Sequence, residues 1–324
     1  VTAAAWKDFA FWYITRLPKD MDTFGQNRGR MFSMKRGLLR SPIIWFGGKG
    51  NMVSKLLKFI PSHRIYVEVF GGGASLLFAK KPSPVEVYND IDLGLVNFFR
   101  VLRDKDKFQE FYRKVYLTPY SREEYNYCKS TWKDCEDEVE RAYRWFVVAR
   151  MSFSGEFGHS WGFSVTSSCR GMAKKCSAWL SIIEELPLIH ERFMTVQIEH
   201  KDFRDLIKTY DTKDTFFYLD PPYVPETRKD GRYQHEMNKK DHEDLVEILL
   251  TIKGKAMLSG YVNRIYKRLE DEGWIRHDFE TACHAVGRTR QSGILGDGAA
   301  LKKHKRIESI WLSPNCLDEH KFFS

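Results

Sequence analysis

The segment Asp220-Pro221-Pro222-Tyr223 sets a carboxylate, two residues without a backbone N–H and a phenol ring side by side, directly after the apolar run Thr215–Leu219. The prolines fix the backbone and remove two amide donors. What remains is an array of acceptors that takes two hydrogen bonds from an amino group, next to a ring that stacks on a flat partner. A turn that merely ends a strand explains the prolines, but less easily the acid and the aromatic. Two other segments occupy comparable places. Glu68-Val69-Phe70-Gly71-Gly72-Gly73 is a Gly-rich turn where a ligand can approach the backbone and meet amide donors. Glycines at such turns also serve packing alone, and no Gly-Lys-Ser/Thr follows that would make a phosphate loop. Asn89-Asp90 lies about 20 residues further on, the separation at which an acid accepts from a ribose diol. An Asp there can equally cap the next helix.

Strands are needed to hold these segments. Residues 64–70, 85–89, 195–199, 215–219, 255–259, 274–280 and 306–312 read as strands from their β-branched and aromatic runs. Residues 74–81, 93–102, 203–210, 241–252 and 265–272 read as helices between them. This alternation predicts an α/β fold, a parallel sheet covered by helices, with the three segments at strand ends. From 104 to 194 the alternation stops. Helical patterning dominates there, notably at 136–151, with a Gly/Ser/aromatic stretch at 152–166 and a basic stretch at 167–175. The reading is an inserted domain. Residues 1–40 read as an N-terminal extension expected to be flexible, since Trp6, Phe9, Phe11, Trp12 and Tyr13 are followed by Pro18 and a polar stretch. The chain begins with Val1, and Met31 and Met34 are alternative starts. Residues 316–324 read as a tail.

Composition sets the outer bounds. With 324 residues, 43% hydrophobic and 29% charged, the chain is neither disordered nor fibrous nor a small disulfide scaffold. No apolar run approaches the roughly 18 residues that cross a bilayer, so no membrane partner is expected. The cysteines at 128, 135, 169, 176, 283 and 316 form no C-x-x-C pair, and their two C-x6-C spacings are wider than zinc ligation favours. Free thiols, no metal and a reducing cytoplasmic setting are expected. A net charge of +9 fits a polyanionic partner. Basic residues gather at Arg170, Lys174 and Lys175; at Arg228, Lys229 and Arg232; and at Arg288, Arg290, Lys302, Lys303 and Lys305. Such runs also occur as solvated loops. The second borders the mouth of any pocket built around Tyr223, which favours phosphate contact there over a merely solvated loop.

Taken in order, Trp45-Phe46-Gly47-Gly48-Lys49, the 68–73 turn, Asn89-Asp90, Asp202-Phe203, Asp220 to Tyr223, Leu258-Ser259-Gly260-Tyr261 and Ile307-Glu308-Ser309-Ile310-Trp311-Leu312 resemble the Dam-type family of DNA adenine-N6 methyltransferases, over about residues 41 to 315. The likeness is to versions carried by phages and mobile elements. It implies a Rossmann-like sheet dependent on S-adenosylmethionine (AdoMet) at 41–103 and 195–315, and an inserted, mostly helical target-recognition domain at 104–194. Double-stranded DNA is the implied partner, with Arg150 and the first two basic clusters in contact with it. A cognate restriction nuclease cannot be inferred. Carried over residue by residue, Phe70, Gly71 and Gly73 cradle AdoMet, Asp90 binds its ribose, and Asp202 accepts from its adenine with Phe203 beside it. Trp45 and Lys49 stand near the methionine end and the active pocket, Lys49 being otherwise a surface lysine on a DNA phosphate. Asp220, which also borders the cofactor, and the Pro221 carbonyl hold the target amino group. Pro222 fixes the turn, and Tyr223 stacks on the base.

The chemistry agrees with that assignment. An adenine amino group is a poor nucleophile because its lone pair is delocalised into the ring. Two acceptors on its hydrogens push the nitrogen toward sp3, so it can attack the sulfonium methyl in line without a covalent enzyme intermediate. The base must leave the duplex to be reached. Residues 149–158 keep an Arg and an aromatic but lack the Asn and Pro landmarks of relatives that read GATC, so that specificity is not implied. Arg150 either reads a guanine or pairs with an acid of the insertion. Two other readings stay open on the residues alone. One is a different amino acceptor, namely cytosine N4, RNA adenine or a protein glutamine amide. The other is a catalytically dead DNA-binding module.

Overall fold

In the computed structural model the described residues are 39–45, 47–224, 226, 235–282 and 305–316. The expectations for most of the N-terminal extension, for Arg228, Lys229 and Arg232, for Arg288, Arg290, Lys302 and Lys303, for the Lys305 side chain and for residues 317–324 lie outside them.

Chain order runs α1 (Val53–Leu56), β1 (Ile65–Glu68), α2 (Ser75–Ala79), β2 (Val85–Asn89), α3 (Leu93–Arg103), α4 (Lys105–Leu117), α5 (Arg122–Thr131), α6 (Glu138–Met151), β3 (Ser168–Cys169), β4 (Met172–Ala173), α7 (Lys174–Phe193), β5 (Gln197–Glu199), α8 (Phe203–Tyr210), β6 (Thr215–Leu219), α9 (Lys239–Leu249), β7 (Lys255–Gly260), α10 (Arg264–Asp271), β8 (Ile275–Ala282) and β9 (Lys305–Leu312). Seven of these strands form one sheet in the order β5-β2-β1-β6-β7-β9-β8. Pairing is parallel from β5 through β7, and β9 runs antiparallel to both its neighbours. The parallel strands are apolar without alternation where both faces are covered, as in β6, whose five residues are all buried.

Register decides what the sheet can present. Glu68 of β1 lies opposite both Tyr88 of β2 and Tyr218 of β6. Phe70, Asp90 and Asp220 each stand two residues beyond that aligned row, so they leave the same edge at the same level. This is the carboxyl edge, at the place where strand order reverses between β1 and β6, where open α/β sheets bind ligands.

Alternate residues of the strands face different partners. Val67, Val87 and Phe217 join Leu206, Leu245, Leu249, Leu269 and Trp311 in one apolar core. The Tyr88 ring instead meets Phe99 of α3 at 4.7 Å. From there an aromatic core runs into the helical segment. Phe99 stacks on Phe193 of α7 at 4.6 Å, and Phe98 stacks on Phe146 of α6 at 5.3 Å and 8°. Charge reinforces the join. The buried Glu86 of β2 takes Lys80 at 2.5 Å and Arg192 of α7 at 2.6 Å. Residues 105–193 are thus largely helical and packed through α3 onto the sheet. They also contain a hairpin absent from the sequence reading. β3 and β4 pair across Arg170 and Gly171, whose φ values of 54° and 73° make a two-residue turn with both central residues left-handed. Among the described residues no helix is long and apolar enough to cross a membrane.

Candidate active site

After β1 the chain turns sharply. The Gly71 amide donates to the Asn89 carbonyl at 2.8 Å, and the Ala74 amide to the Gly71 carbonyl at 2.7 Å. A Cβ on Gly71 would lie 2.2 Å from the Tyr88 ring, and that ring is pinned by its hydroxyl donating to the Gly72 carbonyl at 2.8 Å. Glycine is therefore required at 71 by close approach. A Cβ on Gly73 would stand 2.9 Å from Ser41 Oγ. Gly72, with φ 46°, faces the Trp45 indole, which closes the turn from the side.

Asp90 reaches back to this turn. Its Oδ2 accepts from the Gly72 amide and its Oδ1 from the Asp92 amide, both at 2.8 Å. The helix that follows is capped by Asp92, which accepts from Gly94 and Leu95 at 2.7 and 3.1 Å. The capping role is thus filled by Asp92, and the Asp90 carboxylate is left on the wall of the cleft. Burial raises its pKa to about 6, held in check by the two amides. Below it, buried Glu68 accepts from Tyr66 Oη and the Leu77 amide at 3.1 Å through one oxygen. Its other oxygen has no partner among the described residues. Burial pushes Glu68 up to about 8, so it is a neutral acid at pH 7.

Asp220 stands across the cleft. Its Oδ1 lies 2.8 Å and its Oδ2 2.9 Å from Lys49 Nζ, which also donates to the Gly47 carbonyl at 3.0 Å. Lys49 is 6% exposed, which rules out the surface-lysine reading. Burial raises the Asp220 pKa, while the Lys49 ammonium opposes the rise. Tyr223 is buried, with Lys49 Nζ 4.8 Å from its ring centroid. Tyr261, from the end of β7, meets the Tyr223 ring edge-on at 4.5 Å and 68°. Glu308 of β9 accepts from the Tyr223 hydroxyl at 3.4 Å. Tyr261 and Glu308 entered the sequence reading only within segments that carry the resemblance, and neither was given a chemical role there. The signal for Glu308 was an acid near the start of an otherwise apolar strand.

Trp45, Lys49, Glu68, Phe70 to Ser75, Asp90, Tyr218, Asp220, Pro222 and His235 are among the residues that line an open cleft, while Tyr223, Tyr261 and Glu308 are not part of its lining. Asp202 and Phe203 stand outside this lining. Asp202 caps α8 and pairs with Arg204 at 3.0 Å, while the buried Phe203 ring lies 5.7 Å from Phe70. Arg150 ends α6 and donates to the Ala178 carbonyl at 3.3 Å, with no ion pair to an acid among the described residues. Arg170 sits at the hairpin tip, its guanidinium donating to Ser177 Oγ at 2.9 Å, Ser177 O at 2.6 Å and Ser181 Oγ at 2.9 Å. Lys174 and Lys175 open α7. Among the described residues Cys128, Cys135, Cys169, Cys176 and Cys316 are free, and no group of three metal-ligating side chains forms.

The mixed α/β fold, with its mostly parallel central sheet and a Gly-rich turn and an acid at the switch point, is consistent with a methyltransferase fold. The family model for D12 class N6 adenine-specific DNA methyltransferases matches residues 45–281, and the chain belongs to that family. It is 29% identical over 261 residues to the type II methyltransferase M1.LlaDCHI of Lactococcus lactis subsp. cremoris, covering 77% of this chain and 88% of that one. It is 23% identical over 221 residues to the DNA N-6-adenine-methyltransferase of Escherichia phage P1, covering 65% of this chain and 28% of that one. The DNA adenine methylase of Vibrio cholerae serotype O1 is 24% identical over 190 residues, covering 57% and 66%. The chain is thus an adenine-specific DNA methyltransferase, and the cytosine, RNA and protein-acceptor readings give way.

Proposed function

We propose that the cleft binds AdoMet and that an adenine flipped out of double-stranded DNA enters at Asp220-Pro221-Pro222-Tyr223. The observation that carries this reading is that Asp90 and Asp220 line one cleft from opposite sides of the Gly-rich turn. The residues fit such a cofactor. Gly71 admits no side chain, Asp90 keeps lone pairs beyond the two amides it accepts, and the neutral Glu68 has an unpartnered oxygen on the same wall. Phe70, Gly71 and Gly73 would form the cradle, Asp90 would hold the ribose hydroxyls, and Trp45 would flank the methionine end. Phe203 would act through its contact with Phe70, and Asp202 would take the adenine end after turning from Arg204. Bound there, AdoMet supplies an electrophilic methyl group.

The chain's own part is to make the amine a nucleophile. The Asp220 carboxylate and the Pro221 carbonyl accept from the two amino hydrogens and restore the nitrogen lone pair, while Tyr223 stacks on the ring. Fixing that geometry supplies much of the rate. Extruding the base costs a few kcal/mol, met by contacts elsewhere on the duplex. We assign those contacts to residues 105–193, with Arg150, Arg170, Lys174 and Lys175, and to Arg228, Lys229 and Arg232. Incubating the purified chain with labelled AdoMet and unmethylated DNA, followed by mass analysis of the nucleosides, is expected to yield N6-methyladenine. Absence of that product across DNA of varied sequence overturns the reading.

A further inference from the structure

Because β9 runs against its neighbours, it begins where β7 ends. Gly260 is in register with Ser309, so Glu308 enters the sheet at the level of Tyr261, on the edge that carries Asp220. There its Oε2 lies 3.9 Å from Lys49 Nζ, the same ammonium that sits 2.8 Å from Asp220 Oδ1. It also accepts from the Tyr223 hydroxyl at 3.4 Å. One ammonium, 5% exposed, therefore stands between two carboxylates that are 17% and 18% exposed.

Lys49 donates to Asp220 Oδ2 at 2.9 Å and lies 2.8 Å from Oδ1, which accepts no hydrogen bond among the described residues, so an arriving amino group must approach an oxygen that the ammonium already crowds. An ammonium this deeply buried cannot simply be left without a counter-charge. We propose that Glu308 is a positioning residue which takes over Lys49 when the target amino group takes over Asp220, a reading that rests on the assignment of Asp220 to the amine. Glu308 already pairs with Lys49 at 3.9 Å, about 1 Å beyond hydrogen-bond distance, so a small swing of the lysine end brings the two into direct contact. The same carboxylate oxygen anchors the Tyr223 hydroxyl, so the ring that stacks on the base and the cation that must move aside are set by one side chain.

Glu308→Gln separates charge from shape. The amide keeps the size of the group and an acceptor for Tyr223, and it loses the negative charge. The expected result is AdoMet binding within about threefold of wild type by calorimetry, with single-turnover methylation of unmethylated DNA slowed by about ten- to a hundredfold. The pH profile distinguishes this role from packing. Asp220 is faced by Lys49 from the loop ahead of α1, by Glu308 from β9, by Tyr218 from β6 and by Tyr266 from α10. Lys49 favours its ionised form and Glu308 opposes it. Removing the Glu308 charge moves the acid-side fall in rate to lower pH. A variant with wild-type rate overturns the proposal. So does a slowed variant whose acid limb has not moved, and so does one that loses AdoMet affinity in step with its rate. Failure of the wild-type chain to methylate adenine would instead remove the Asp220 assignment itself, together with what rests on it.

Discussion

Lys49 Nζ and Asp220 Oδ1 lie 2.8 Å apart although 171 residues separate them in sequence. The contact ties the loop ahead of α1 to the end of β6, so one ion pair links the two ends of the catalytic edge. Asp220→Ala is expected to leave DNA binding largely intact and to lower turnover by at least about a hundredfold, as loss of a preorganised group at a reacting centre does. Lys49→Met strips the ammonium that favours ionised Asp220. Its acid limb should therefore move to higher pH, opposite in sign to the Glu308→Gln effect. It should also cost about 2–4 kcal/mol in urea unfolding, since it leaves a mostly buried charge without its partner. Equal acid limbs for the two variants would rule out this electrostatic account.

Asp90 carries a pH dependence of its own. Its pKa stands at about 6, so the carboxylate takes up a proton as pH falls through that value. If it holds the ribose hydroxyls, AdoMet affinity at pH 5 should be about tenfold weaker than at pH 8. Asp90→Ala should weaken cofactor binding before it affects DNA binding, and should flatten this profile. Stability has the opposite sign. A folded pKa above the unfolded value of about 3.9 means the native state holds the proton more tightly, so this group's contribution to stability is lost as pH rises from about 4 to 6. Calorimetry across pH 5 to 8 with wild type and Asp90→Ala reads the binding effect.

The parallel half of the sheet was legible because its strands are buried on both faces. Thr215–Leu219 has no polar position to alternate with, and only a covered strand tolerates that. What was not legible is direction and level. The run at 306–312 reads as a strand whichever way it points, yet its reversal is what brings Glu308 to the catalytic edge. The sequence leaves Asp90 between ribose ligand and helix cap, and only the hydrogen bonds give the cap to Asp92. The resemblance places Lys49 near the active pocket, with a surface lysine as the alternative, and only the fold shows the carboxylate that lets it be buried. The Arg170-Gly171 hairpin escaped notice because its strands are two residues each, too short for any period to register.

Glu68 offers a test of burial rather than of catalysis. Held near 8 by desolvation, it remains protonated through the neutral range while its unfolded counterpart ionises near 4.5. The folded chain thus loses stability as pH rises from about 4.5 to 8, by an amount on the order of a few kcal/mol. Glu68→Gln keeps a neutral side chain of the same size at all pH values. It should match wild type at pH 5 and exceed it at pH 8 in urea denaturation. A variant that is no more stable than wild type at pH 8 would mean that Glu68 ionises in the folded chain.

The basic end of α7 separates two ways of meeting DNA. Each phosphate neutralised adds close to one to the slope of log affinity against log salt. Lys174, exposed at the start of α7, should contribute in that way, so Lys174→Ala should flatten the slope by about one. Arg170 differs because its guanidinium N–H groups are already engaged by Ser177 and Ser181. It holds the hairpin tip against α7, so Arg170→Ala should weaken DNA binding mainly by loosening that tip and change the salt slope by less. If its slope fell as far as that of Lys174→Ala, the arginine must leave its serines for the phosphate backbone on binding. The hairpin would then be an element that reshapes on DNA rather than a preformed one.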